Sequence, residues 1–201
     1  MGSKGWAYKV ISLISISIIN NMISIVYLSL VFAFSELMLM VFKRSKAGFS
    51  KTQKDNGSMI LIWISITLGF FGGFYLANPA NEFFEGFGLA FIVTGLIIRW
   101  VAILQLGKSF TVDVAITDTA KLKTDGLYER VRHPSYSGLL AIVMGFSFIM
   151  SSVYSFLVLA VPVFLAINYR IVVEEKVLVN EFGNSYLEYR SRTKRIIPGI
   201  F

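Results

Sequence analysis

Apolar residues fall along this chain in long unbroken runs, not in the alternation of strands or the single stripe of a soluble helix. A helix rises about 1.5 Å per residue, so about 20 apolar residues cross a hydrocarbon core of about 30 Å. The first run, Val10 to Phe42, is too long for one crossing and is interrupted by Asn20 and Asn21. It predicts an interfacial or broken segment followed by a span over roughly 19–42. A second span is expected over about Ser58–Ala77, ending at the Asn78-Pro79 turn signal, and a third over about Phe84–Leu106. The fourth begins at Pro134 and ends near Met150, and the fifth runs to about Val173. Only Ser151-Ser152 separates these two, which predicts an antiparallel helical hairpin. The pattern reads as an all-α polytopic membrane bundle of about five transmembrane helices, in a single integral membrane domain over residues 1–201.

Composition supports this reading. The chain is 55% hydrophobic and 15% charged, where soluble domains carry about a quarter charged residues. A soluble Rossmann enzyme is excluded on that ground, and neither a GxGxxG after a strand nor a P-loop is present. The net charge of +7 would suit nucleic acid, but the cations cluster in blocks between apolar runs, where membrane flanks belong. Absence of cysteine removes disulfides, thiolate chemistry and cysteine metal sites, and a single histidine removes a multi-histidine metal site. The start, MGSKGWAYK, resembles a signal peptide but lacks a small-residue cleavage site, so a retained anchor is expected.

The basic residues also orient the bundle. Lys43, Arg44, Lys46, Lys51 and Lys54 follow the first span; Lys108, Lys121, Lys123, Arg130 and Arg132 follow the third; Lys176, Arg190, Arg192, Lys194 and Arg195 follow the fifth. The loop between spans two and three has no cation and carries Glu82 and Glu85. The positive-inside rule places the basic segments and the C-terminus in the cytoplasm, although Lys4 and Lys9 argue weakly the other way.

Those basic segments carry the unusual polar residues. Residues 108–133 form a connection too long for a simple bundle turn, with a turn signal at Thr124-Asp125-Gly126 and Tyr128 after it. Pro134 suits the first position of the fourth helix, which places His133 at a helix entrance that favours an anion. His133 and Tyr136, three apart, can face one pocket, and Gly138 permits close approach of a helix or ligand. The plainer alternative makes Arg130 and Arg132 membrane flanks and His133 an interfacial polar residue. Arg170 and Glu174 share a helix face near the end of the fifth span; Arg170 either serves a site or snorkels to the headgroups. Glu175 points elsewhere, toward solvent. Leu178, Phe182, Tyr186 and Tyr189 repeat at helical spacing, with a break at Gly183-Asn184 and a capping box of Ser185 and Glu188 restarting the helix. That aromatic stripe reads as packing.

The order GLYERVRHPSYSG, a short helical hairpin, R-x-x-x-EE and EFGNSYLEYRSRTKRIIP resembles the isoprenylcysteine carboxyl methyltransferase family of integral membrane enzymes. The resemblance covers roughly Arg99 to Pro198. Phospholipid methyltransferases and membrane sterol and steroid reductases carry related versions. The reductase-like members have an Asn before the Tyr and an acidic residue after the Gly, where this chain has Ser135 and Leu139. The resemblance implies S-adenosyl-L-methionine in a cytoplasm-facing site, with residues 1–107 supplying N-terminal spans and 108–201 the cofactor-binding loop, hairpin and C-terminal helix. It assigns the cofactor to Ala120, Lys121, Leu122, Lys123, Tyr128, His133, Pro134, Ser135, Tyr136 and Glu174, and the substrate carboxylate to Arg170 as the catalytic and substrate-binding residue. A glutamine of some members falls at Asp113, which leaves that contact in doubt. No metal and no nucleic acid is implied. The expected partner is a lipophilic substrate arriving from the bilayer, alongside membrane lipids. The alternatives are methyl transfer to a phospholipid or small thiol, and an NADPH-dependent membrane reductase.

Overall fold

The computed structural model describes residues 23–39, 57–79, 81–107 and 122–201. Its helices are α1 (Ile23–Leu39), α2 (Ser58–Tyr75), α3 (Glu82–Leu106), α4 (Pro134–Ile149), α5 (Val153–Phe182) and α6 (Asn184–Arg192), with a 3-10 turn at Gly126–Glu129 before α4. The described residues contain no strand, only an isolated parallel bridge between Val131 and Lys194. Helices α2, α3 and α5 are long and apolar enough to cross a membrane, while Ile23–Leu39 and α4 are shorter apolar helices. The broken segment expected around Asn20-Asn21 and most of the 108–133 connection lie outside the described residues.

Packing follows small residues. Helix α3 runs along α4 and α2 along α5, and these contacts exceed those between α4 and α5. Each arm of the α4–α5 hairpin thus has its own partner helix. Between α3 and α4 the reason is backbone proximity: a Cβ on Gly95 would lie 2.6 Å from the Gly138 carbonyl oxygen, and one on Gly88 2.5 Å from that of Gly145. Without a water-driven force between helices in lipid, such close approach gains dispersion contacts that larger residues would forbid. The core where the helices meet includes Ile92, Ile142, Phe146, Leu159, Val163 and Ile167, all nearly inaccessible.

The far turn is short and tied. Ser151 takes a positive φ of 51°, and Asn78 donates from its backbone to Met150 O (3.0 Å) and from its amide to Ser151 O (2.9 Å). Ser152 caps α5 by accepting from Ser155 N.

Two sequence expectations need correction. The fifth span, expected to end near Val173, and the helix read over Leu178 and Phe182 form one continuous helix α5 to Phe182, broken at Gly183 as expected. The Ser185–Glu188 capping box does not form. Helix α6 begins at Asn184 after Gly183 (φ 53°), whose carbonyl accepts from Tyr186 N and Leu187 N, so Ser185 already lies inside the helix.

Candidate functional site

The residues just before α4 are fixed by the C-terminal segment. Arg132 N donates to Lys194 O (2.8 Å), His133 N to Arg195 O (3.0 Å) and Ser137 Oγ to Ile196 O (2.6 Å). Tyr189, buried on α6, donates to Tyr128 O at 2.6 Å, and Tyr128 donates to Ala102 O on α3 at 3.2 Å. Half of the aromatic stripe, Tyr186 and Tyr189, is thus buried as packing. Proline at the first turn of α4 leaves His133 at the N-cap, as expected.

Four of the sequence-derived site residues meet here. Tyr136 Oη donates to Glu174 Oε1 at 2.5 Å, and Arg170 Nε donates to Glu174 Oε1 (3.0 Å) and Tyr136 Oη (3.2 Å). Arg170 also donates to Ser58 Oγ at 3.0 Å, and only 1% of the residue is exposed. It does not snorkel. His133 Nδ1 lies 3.4 Å from Glu174 Oε2, and its Nε2 is 3.5 Å from Glu175 Oε1. Nε2 makes no hydrogen bond among the described residues, an orphaned polar atom in a buried ring. Burial disfavours the imidazolium, but the Glu174 and Glu175 carboxylates outweigh it and raise the His133 pKa above its ordinary value.

The expectation that Glu175 points to solvent is wrong. It is buried, accepts from Arg132 Nε at 2.9 Å, and has Arg195 within 3.5 Å. Arg132 in turn donates to the carbonyls of Arg190 and Thr193, so it ties α5 to the C-terminal segment; Arg130 alone behaves as an exposed flank. An uncompensated charge at that depth would be expensive, and the ion pair with further hydrogen bonds resolves it.

Three residues given no site role from the sequence, Glu36, Ser58 and Arg99, adjoin the site. Arg99 on α3 makes a two-pronged pair with Glu36 on α1 (2.6 and 2.7 Å) and donates to Ser135 Oγ at 3.0 Å and Ser135 O at 3.2 Å. A cation and an anion each embedded in an apolar span are the signal that could have found them. Ser58, an ordinary polar residue at a helix start, gave no such signal.

Other assigned residues sit farther from this cluster. Leu122 is half-buried, and Lys123 pairs with exposed Asp125 at 2.9 Å, which lowers the Asp125 pKa. Pro134 is buried in the first turn of α4, and Tyr128 spends its hydroxyl on Ala102. Ala120, Lys121 and Asp113 lie outside the described residues. No group of three or more potential metal-ligating side chains occurs among the described residues.

The arrangement is a buried guanidinium, a carboxylate with 21% of its side chain exposed, a tyrosine and a histidine with one ring nitrogen that makes no hydrogen bond among the described residues. It can bind a ligand that carries both charges. Known proteins resemble this chain over much of its length. Protein-S-isoprenylcysteine O-methyltransferase B of Arabidopsis thaliana is 36% identical over 129 residues, covering 63% of this chain and 66% of that one. Protein-S-isoprenylcysteine O-methyltransferase of Schizosaccharomyces pombe is 34% identical over 128 residues, covering 63% of this chain and 54% of that one. The chain thus spans between about half and two thirds of these relatives' length. A solved structure of the eukaryotic intramembrane Ras methyltransferase, isoprenylcysteine carboxyl methyltransferase, shares the fold with a TM-score of 0.65. That likeness has 22% identity and covers 92% of this chain and 68% of that one. Residues 88–180, which hold Arg99, the loop before α4, the hairpin and the Arg170–Glu174 pair, match the family profile, and the chain belongs to the isoprenylcysteine carboxyl methyltransferase family.

Proposed function

We propose that this protein transfers a methyl group from S-adenosylmethionine to the carboxylate of a lipophilic, isoprenylcysteine-like substrate in the membrane. The observation that carries the proposal is the contact of Arg170, Glu174 and Tyr136 beside His133, at the end of the bundle where the C-terminal segment folds back. The family membership and the activity in the relatives' names support the same reaction class.

The residues fit the cofactor. Glu174 is partly open and can accept from an amino group or a ribose hydroxyl, while His133 Nε2, 3.5 Å from Glu175 Oε1 and without a hydrogen bond among the described residues, can serve a carboxylate near the α4 N-terminus. Leu122, Lys123, Tyr128, Pro134, Ser135 and Tyr136, with Ala120 and Lys121, complete the assigned contact set. When bound, S-adenosylmethionine supplies a methyl group on a sulfonium, already a strong electrophile. The protein's share is alignment and exclusion of water. An acceptor carboxylate is ionised at neutral pH and needs no general base, so none is required of this cluster. Arg170 would hold that carboxylate in line through its planar fork, with Ser58 and Tyr136 fixing the guanidinium. The exposed apolar faces of α2, α3 and α5 leave a lateral route from the bilayer. The positive-inside rule supports a cytoplasmic position for this end of the bundle.

Calorimetric titration of the detergent-purified chain tests the cofactor. S-adenosylhomocysteine should bind and NADPH should not; the reverse would favour a reductase. His133→Ala should weaken the binding by about 1–3 kcal/mol, the cost of a lost buried or charged hydrogen bond. Glu174→Gln should lose cofactor affinity, whereas Arg170→Ala should keep it and lose turnover. Equal loss of cofactor affinity in both variants would refute the separate roles.

A further inference from the structure

The face of α5 turned away from Arg170 and Glu174 carries a second polar feature. A cavity of about 420 Å³ opens there between the last turns of α5, Arg190 of α6 and Arg195 beyond it. Lys176, Asn180, Arg190 and Arg195 supply its polar lining, and Val172 and Val179 its apolar wall. Among the described residues Glu175 is the single carboxylate that reaches it, and that carboxylate is already held by Arg132 Nε at 2.9 Å. Arg195 and Arg190 stand at 3.5 and 3.9 Å from its other oxygen, too far for strong bonds, and Lys176 makes no ion pair among the described residues. The cavity therefore presents an excess of donors and positive charge.

Its apolar wall continues into the membrane. Leu165, Tyr169, Val172 and Lys176 are spaced four, three and four apart and lie on one face of α5. Leu165 is 62% exposed, Tyr169 43% and Val172 37%, so the described residues leave much of the stripe uncovered. An uncovered apolar stripe that ends in a cationic cavity matches a molecule with an acyl chain and an anionic head. A soluble anion would have no use for the stripe, and a neutral lipid none for the cations.

We propose that this groove is a binding site for an anionic phospholipid, its phosphate between Lys176, Arg190 and Arg195 and one acyl chain along Val172, Tyr169 and Leu165. Charge-assisted hydrogen bonds from the two guanidiniums and the ammonium hold the phosphate, with the Asn180 amide as a further donor. The site is separate from the Arg170–Glu174 cluster, which faces the other side of α5. It still bears on that cluster, because the Arg195 carbonyl accepts from His133 N at 3.0 Å. A lipid on the Arg195 side chain braces the segment that positions His133.

The test is native mass spectrometry of the full chain released from nanodiscs of equal phosphatidylglycerol and phosphatidylcholine. The wild-type chain should retain one phosphatidylglycerol in preference to phosphatidylcholine by roughly tenfold or more. Lys176→Gln combined with Arg190→Gln should abolish that preference. Arg192→Gln combined with Lys194→Gln removes the same charge from exposed positions outside the cavity and should keep it. Equal loss in both double variants would reduce the effect to diffuse surface charge and overturn the proposal. So would a wild-type chain with no preference, a result that needs no variant to fold. Release of the lipid by inorganic phosphate or glycerol phosphate would also overturn it, in favour of a soluble anion.

Discussion

Two adjacent glutamates at the end of α5 have different surroundings because the helix turns them about 100° apart. Glu174 faces Tyr136, Arg170 and His133, while Glu175 faces Arg132, Arg195 and the outer cavity. Their substitutions should therefore fail differently. Glu175→Ala leaves Arg132 buried without its carboxylate and should cost about 3–5 kcal/mol, read as a large fall in thermal stability in detergent. Glu174→Gln should lower stability far less while removing cofactor binding. Similar stability losses in the two would contradict the division. His133 adds a pH signature. Its pKa is raised by folding, so its stabilising contribution is fully present below about 6.5 and lost as pH rises through the folded value. Thermal stability of the wild-type chain should fall over that window on the alkaline side, and His133→Gln should flatten the fall.

At the scale of elements, the α3–α4 contact is the most demanding. A Cβ on Gly138 would lie 2.6 Å from Gly95 O and 2.7 Å from Arg99 N, both backbone atoms that a rotamer change cannot relieve. Gly138→Ala should cost about 1–3 kcal/mol by overpacking and also disturb the Arg99–Ser135 contact. Gly86→Ala, on the same helix α3 with nothing within 4 Å of the new Cβ, should be neutral or slightly stabilising. Comparing the two variants' melting temperatures checks this, and equal values would remove the glycine contact from the packing. The helices themselves were legible because apolar runs of membrane length have few other uses. Their ends were legible where Pro134, Asn78-Pro79 or Gly183 marks a break. That the helix read over Leu178 and Phe182 continues the fifth span without interruption was not, since Glu175 at the junction is held by Arg132 and Arg195, which lie 43 and 20 positions away in the chain. The Ser185–Glu188 pair had the right spacing for a cap, but Gly183 fixes the helix start two residues earlier.

For the whole molecule, the chain is an integral membrane bundle whose last residues return to the end that carries His133, Arg170 and Glu174. His133 with Tyr136 and Arg170 with Glu174 were legible as pairs because their spacing puts each on a helix face or at a helix start; that the two pairs share one site came from the family resemblance. Glu36 and Arg99, and the bond from His133 N to Arg195 O, join distant positions whose pairing no local pattern encodes. The cation-free 78–85 loop predicts the orientation. A single cysteine at Asn81 should label from outside intact cells and one at Ser191 only after permeabilisation; labelling of Ser191 in intact cells would reverse the topology. The central claim is carboxyl methylation, and transfer of a radiolabelled methyl group from S-adenosylmethionine to an S-prenylated cysteine tests it most directly. With the chain in nanodiscs, the product should release its label in mild base, as a methyl ester does. An amidated carboxyl should take up no label, and Arg170→Ala should bind S-adenosylhomocysteine yet transfer none. Base-stable label on a lipid amine, or equal labelling of the amidated compound, would contradict the assignment of the acceptor and of Arg170.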